Sequence, residues 1–191
     1  MVLAVNGVNY SRDSMECQME LDRTDHRILA LLQEDGRRTN VEVAERVALS
    51  PSPCLRRIKR LEAAGVVRGY RAIIDREAVG LGLTVLVEIK VGQHSRDNAG
   101  ALEAALADMA EVVSCHMISG AADFIAEVVV KDLKEYERLL SERLLVLPMI
   151  ADIRSNFSLR RIKSEAPLPL PGMQDVRGER GRQAFGKSPE S

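Results

Sequence analysis

The chain has 191 residues, 46% hydrophobic and 29% charged, with 27 Lys+Arg against 28 Asp+Glu for a formal net charge of -1. That apolar supply suffices for one domain or two small ones, and near-neutrality excludes an unstructured polycation. Three cysteines, an odd number with no C-x-x-C pair, imply a reducing compartment.

The opening apolar run is broken by Asn6 and Gly7, too soon for a signal peptide, and no run approaches membrane-spanning length. A cytoplasmic location without a membrane partner is therefore expected. Residues 1–20 mix Gly, Asn and Ser without periodicity and are expected to form a disordered extension, with Met15 and Met19 as alternative starts. Residues 21–35 read as a helix, with Asp22 as N-cap, Asp25 three residues later, and Ile28, Leu29 and Leu32 on one face before Gly36 ends it. Thr39, Asn40, Val41 and Glu42 have the form of a capping box, which opens a short helix through Val43, Ala44 and Val47.

Ala48, Leu49 and Ser50 then make a tight connection into the most informative stretch, residues 50–65. Ser50 is the predicted N-cap, Pro51 suits the first helical position, Pro53 still lies in the first turn, and Gly65 supplies the stop. Cys54, Leu55, Ile58 and Leu61 recur at helical spacing and are expected to face a core. Ser52, Arg56, Arg57, Lys59 and Arg60 fall largely off that stripe. Most charge runs are ordinary solvated faces. A capped basic helix that follows a short helix and a tight turn is, however, the helix-turn-helix pattern, whose second helix reads double-stranded DNA. The charge distribution agrees: 21–79 holds 12 Lys+Arg against 9 Asp+Glu, whereas 80–163 holds 10 against 12.

Residues 66–75 have strand-like content broken by Gly69, which suits a small β-wing, so a winged helix-turn-helix domain is predicted over 21–79. Gly80, Leu81 and Gly82 form the expected junction. Beyond it the pattern predicts strands at 83–91, 112–119, 124–130 and 150–162. Helices are predicted at 98–109 and from 133 to Pro148, the second marked by Leu133, Tyr136, Leu139, Leu140 and Leu144. The order βαββαβ over 80–163 is a ferredoxin-like α+β sandwich, with helices on one face of an antiparallel sheet. Its open face is most economically covered by a second copy, so at least a dimer is expected. Four prolines and four glycines after Ser164 predict a disordered tail over 164–191.

No chemistry of catalysis or metal binding emerges. His26, His94 and His116 share no ligand spacing. Cys115 and His116 are strand neighbours that point to opposite faces, without a convergent third residue, and the glycines near 80 lack the Lys and Ser/Thr of a phosphate loop. No metal, cofactor or enzymatic activity is expected. A metabolite-sensing subunit of an enzyme would give the basic helix no task.

Residues 21–163 resemble the Lrp/AsnC, or feast/famine, transcriptional regulators. The resemblance is carried by Leu21 to Asp25 with Ile28 and Leu29, by Leu49 to Cys54 followed by Arg57, Arg60, Leu61, Glu62 and Gly65, by Gly69 and Tyr70, and by Cys115 to Asp123. It implies a dimer that assembles further into octamers, DNA binding through Ser50, Ser52, Arg56, Arg57, Lys59 and Arg60, and no enzymatic activity. It also implies a small-molecule effector, an amino acid, held between subunits by Gly120, Ala121 and Asp123 of the loop and by Ile153 and Ser155 of the last strand, with Asn156 beside them. Backbone N–H groups of the loop suit a carboxylate, and Asp123 suits an ammonium. The rival reading is an architectural DNA-binding protein that works without an effector.

Overall fold

A computed structural model describes residues 4–5, 8–9, 19–92, 96–164 and 166–171, and the chain divides into two compact units, 17–72 with 163–191, and 1–16 with 73–162.

The first unit is a three-helix domain, α1 (Arg23–Glu34), α2 (Asn40–Arg46) and α3 (Pro51–Ala63). Both predicted N-terminal signals form reciprocal boxes. The Asp25 N–H donates to Asp22 and the Asp22 N–H to Asp25, and Thr39 and Glu42 do the same. Ile28, Leu29, Val43, Ala44, Val47, Cys54, Ile58 and Leu61 form its core. Leu55 departs from expectation, lying outside that core at 41% exposure.

Val66–Asp75 forms no ladder in this chain, in place of the strands expected for a wing. An extended segment needs a partner for its N–H and C=O groups, and among the described residues no strand lies beside it. Its start is held by the end of α3: Gly65 sits at φ 69° while the Val66 N–H donates to Leu61 and the Gly65 N–H to Glu62, the Schellman pair. The Tyr70 hydroxyl then donates to Glu62 at 3.0 Å.

The predicted tail is not structureless where it is described. The Leu168 N–H donates to Gln33 Oε1 of α1 at 2.6 Å, and Leu170 packs against the three-helix core, so apolar burial holds part of a segment that proline content alone suggested was loose. The remainder of the expected tail, 172–191, and most of the expected N-terminal extension lie outside the described residues. Within that extension Ala4–Val5 (β1) pairs antiparallel with Val8–Asn9 (β2).

The second unit is an antiparallel sheet of β3 (Leu83–Val91), β4 (Val112–Met117), β5 (Phe124–Val130) and β6 (Ile150–Phe157), in the order β4-β5-β3-β6. Helices α4 (Arg96–Ala107) and α5 (Leu133–Leu139) complete the βαββαβ order. Val85, Val87, Ile89 and Val91 alternate inward along β3 and meet Leu102 and Leu106 of α4 and Tyr136 and Leu139 of α5. The helix predicted from Leu133 continues past α5 as a π-helical turn, Leu140–Leu144, where the Ser141 hydroxyl takes the Glu137 carbonyl that a regular turn would reserve for a backbone N–H.

The division between units falls at Ala72/Ile73 rather than at the predicted Gly80 junction. The cause is Arg76, whose guanidinium donates to Glu127 at 2.7 Å and to Thr84 at 3.3 Å and so fastens residues 73–82 to the sheet.

Candidate functional site

Two local devices set the start of α3. Ala48 takes φ 58°, with the Leu49 N–H donating to Ala44 and the Ala48 N–H to Glu45, which turns the chain sharply after α2. Asn40 Nδ2 then donates to the Pro51 carbonyl at 2.8 Å and ties the two helix starts together. Ser50 occupies the N-cap position but makes no side-chain cap bond. The reason is chemical: Pro53 stands at the third helical position and has no N–H for the hydroxyl to accept. The Ser50 hydroxyl therefore stays exposed.

The six residues expected to meet DNA separate into two groups. Arg57 Nη1 donates to Asp22 at 2.7 Å and to Asp25 at 2.8 Å, and Arg60 Nη2 donates to Asp25 at 2.6 Å. Asp25 is fully buried, and these two arginines neutralise it. The Asp25 backbone N–H, and after it Arg57, hold the Asp22 carboxyl below the usual carboxylate range. Hydrogen bonds to Asp22 and Asp25 push Arg57 up in turn. The pair of acids at spacing three at the head of α1 and the pair of arginines at spacing three on α3 form one cross-helix clamp. The matching spacing was visible in the sequence, but the 32 to 35 residues between the pairs hid its meaning.

Ser52, Arg56 and Lys59 are all exposed and, together with Leu55, occupy positions i, i+3, i+4 and i+7 of α3, one outward face. Cys54 lies on the opposite, buried side, and desolvation pushes its thiol up.

In the second unit Gly120 adopts φ 139° with open space around it, so the backbone and not crowding demands glycine there. Asp123 closes the loop: its N–H donates to Ile89, its carbonyl accepts from Ile118, and its Oδ2 accepts the Val91 N–H at 2.8 Å. Ala121 lies beside a shallow cleft of about 20 Å³, lined also by Ala122, Glu88, Lys90, Asp152 and Arg154, with room for a water and not for an amino acid.

Ile153 and Ser155 do not join that cleft. They pair with Ile89 and Val87, whose side chains are buried toward the helices, and Ser155 bonds the Tyr136 hydroxyl there. On the other face of β6 stand Asp152, Arg154 and Asn156, the last donating to Glu88 at 3.0 Å. Sequence reasoning misses Glu88, Lys90, Asp152 and Arg154. Their signal is the period of two that makes alternate strand residues share a face.

Cys115 pairs with Ala126 on the helix side while His116 bonds Ser114, so the two neighbours point apart. Among the described residues no group of three or more His, Cys, Asp or Glu is arranged to hold a metal, and no helix is long and apolar enough to cross a membrane.

Residues 21–68 match the family model for a winged helix-turn-helix DNA-binding domain, and 84–168 match that for the Lrp/AsnC ligand binding domain. The leucine-responsive regulatory protein of Salmonella typhimurium is 40% identical over 151 residues, covering 79% of this chain and 92% of the relative. That of Escherichia coli is 39% identical over the same span. Among solved structures, a transcriptional regulator from Neisseria meningitidis in complex with L-Met superposes with TM-score 0.76 at 41% identity, over 80% of this chain and 98% of that one. An AsnC family regulator from Agrobacterium tumefaciens gives TM-score 0.75 at 34% identity, over 80% and 99%. With a DNA-binding unit and a ligand-binding unit in this order, the chain belongs to the Lrp/AsnC family of DNA-binding transcriptional regulators and is not an enzyme.

Proposed function

We propose that this regulator grips double-stranded DNA through the outward face of α3, and that an α-amino acid bound at the loop of Gly120, Ala121 and Asp123 changes that grip. The observation that carries the reading is the division of labour on α3: Arg57 and Arg60 hold the helix to α1, while Arg56 and Lys59 have no ion pair among the described residues. Ser50 and Ser52 stand at the start of the same helix, where short side chains reach base edges and phosphates.

The L-Met complex of the Neisseria relative supports an amino acid as effector. One Asp123 oxygen is committed to the Val91 N–H, which leaves Oδ1 to accept an ammonium. A cleft of about 20 Å³ is too small for the ligand, so a second copy must supply the missing wall. Exposed Ile73, Ile74 and Leu86 give that copy an apolar surface to cover, and dimers that assemble further, up to octamers, follow from the family's habit. Such a protein works in the cytoplasm, where its DNA is.

The test is fluorescence anisotropy on duplexes selected from a random pool by the full-length protein. Arg56→Ala with Lys59→Ala should weaken binding to all sequences and lower the salt slope by about 2, one for each phosphate no longer neutralised. At least one of the twenty amino acids should shift wild-type affinity. Asp123→Ala should remove that shift while leaving ligand-free binding nearly intact, because equal affinity for both states shifts nothing. Absence of any response in the wild type would establish the architectural, effector-independent reading instead.

A further inference from the structure

We infer that Leu55 is a specificity-determining residue that reads thymine through its C5-methyl group. The inference rests on the proposed meeting of the outward face of α3 with DNA and goes beyond it to a base. Leu55 belongs by sequence to the apolar stripe of Cys54, Ile58 and Leu61, yet it stands 41% exposed outside the domain core, while those three are buried. A single exposed leucine is unremarkable on most surfaces. This one is placed three residues after Ser52, one before Arg56 and four before Lys59, within the face that carries the free cations.

The chemistry of that position is restrictive. Leucine neither donates nor accepts, so it cannot read the hydrogen-bonding pattern of a base edge. The thymine methyl is the apolar feature that the major groove offers, and it separates T·A and A·T from both G·C pairs. Reach also agrees. Leu55 and Ser52 are short and lie in the N-terminal half of α3, the part of a recognition helix that approaches base edges. Arg56 and Lys59 are long enough to extend to the phosphates on either side. Because Arg57 and Arg60 are held by Asp22 and Asp25, base reading by this helix falls to a small set of side chains, of which Leu55 is the apolar one.

The experiment replaces thymidine by deoxyuridine, one position at a time, in duplexes selected by the full-length protein. Uracil keeps the pairing and the O4 acceptor and loses only the methyl. At one or more positions in each half-site the replacement should weaken wild-type binding roughly 4-fold, the worth of burying one methyl-sized group. Leu55→Ala should bind the two duplexes equally, with an unchanged salt slope and an unchanged circular dichroism melt, and Leu55→Met should keep the preference. Indifference of the wild type to deoxyuridine at every half-site position would overturn the inference, and this arm requires no variant to fold. Retention of the full penalty by Leu55→Ala would overturn it as well. Either result leaves the proposed DNA face standing if the Arg56 and Lys59 double variant loses affinity and salt slope, whereas an unaffected double variant would remove both.

Discussion

A carboxylate buried completely in a three-helix domain is costly unless its charge is answered, and Asp25 is answered three times. Arg57 reaches one oxygen, Arg60 the other, and the Asp22 N–H shares the second. The guanidinium groups remain partly in solvent, which lowers their own desolvation cost but also moderates what the clamp is worth. Asp25→Asn keeps the shape and removes the charge. It should lower unfolding free energy by on the order of 2–3 kcal/mol, read as a drop in the urea midpoint at unchanged slope. An unchanged midpoint would mean that solvent already does the work assigned to the carboxylate. The same clamp ties α3 to α1 beside the apolar contacts that Cys54, Ile58 and Leu61 make in the shared core.

At the scale of elements, the turn between α2 and α3 stores strain. Ala48 holds φ 58° to complete the pair of bonds from Ala48 and Leu49 back to α2, a conformation that costs a residue with a Cβ about 1–2 kcal/mol. Ala48→Gly relieves that cost and gives back part of it in unfolded-chain entropy, so a net stabilisation of about 0.5–1 kcal/mol is expected in denaturant titration, with DNA affinity unchanged. A loss of stability would show that the Ala48 methyl packs against something. The sheet bears a different mark of local competition, since Asp123 spends one carboxylate oxygen on the Val91 N–H, where the ladder between β3 and β5 has ended at Ile89 and Phe124.

At the scale of the whole molecule, two adjacent isoleucines are left in solvent. Ile73 and Ile74, at 74% and 59% exposure, lie within Val66–Asp75, which joins no ladder among the described residues. Adjacent exposed isoleucines on a segment that joins no ladder are a surface suited to a second copy. Light scattering of the full chain at micromolar concentration should therefore report a mass of at least two chains, and Ile73→Asp with Ile74→Asp should shift it toward one. A wild-type mass of one chain would remove both the dimer and the shared effector wall.

Periodicity and capping were enough to read α1, α2 and α3 within a few residues and the limits of β3 and β5 to the residue, because the burial of a helix stripe or a strand face is a local property of spacing. The same logic ran too long at β6, where apolar content continues to Ile162 while the ladder stops at Phe157. Gly120 was legible for a local reason too, a backbone angle that a Cβ resists. What the tertiary structure alone decided is which of the chosen side chains are free. Arg57 and Arg60 look like Arg56 and Lys59 until Asp25, 32 and 35 residues away, takes them. Ser155 looks like a ligand-binding residue until the register of β6 on β3 turns it toward Tyr136. Leu55 continues an apolar stripe by spacing, yet it is the packing of α3 against its neighbours that leaves it outside. Spacing sets the face of an element on which a residue stands, but only the neighbour across that face determines whether its charge or apolar surface is already used.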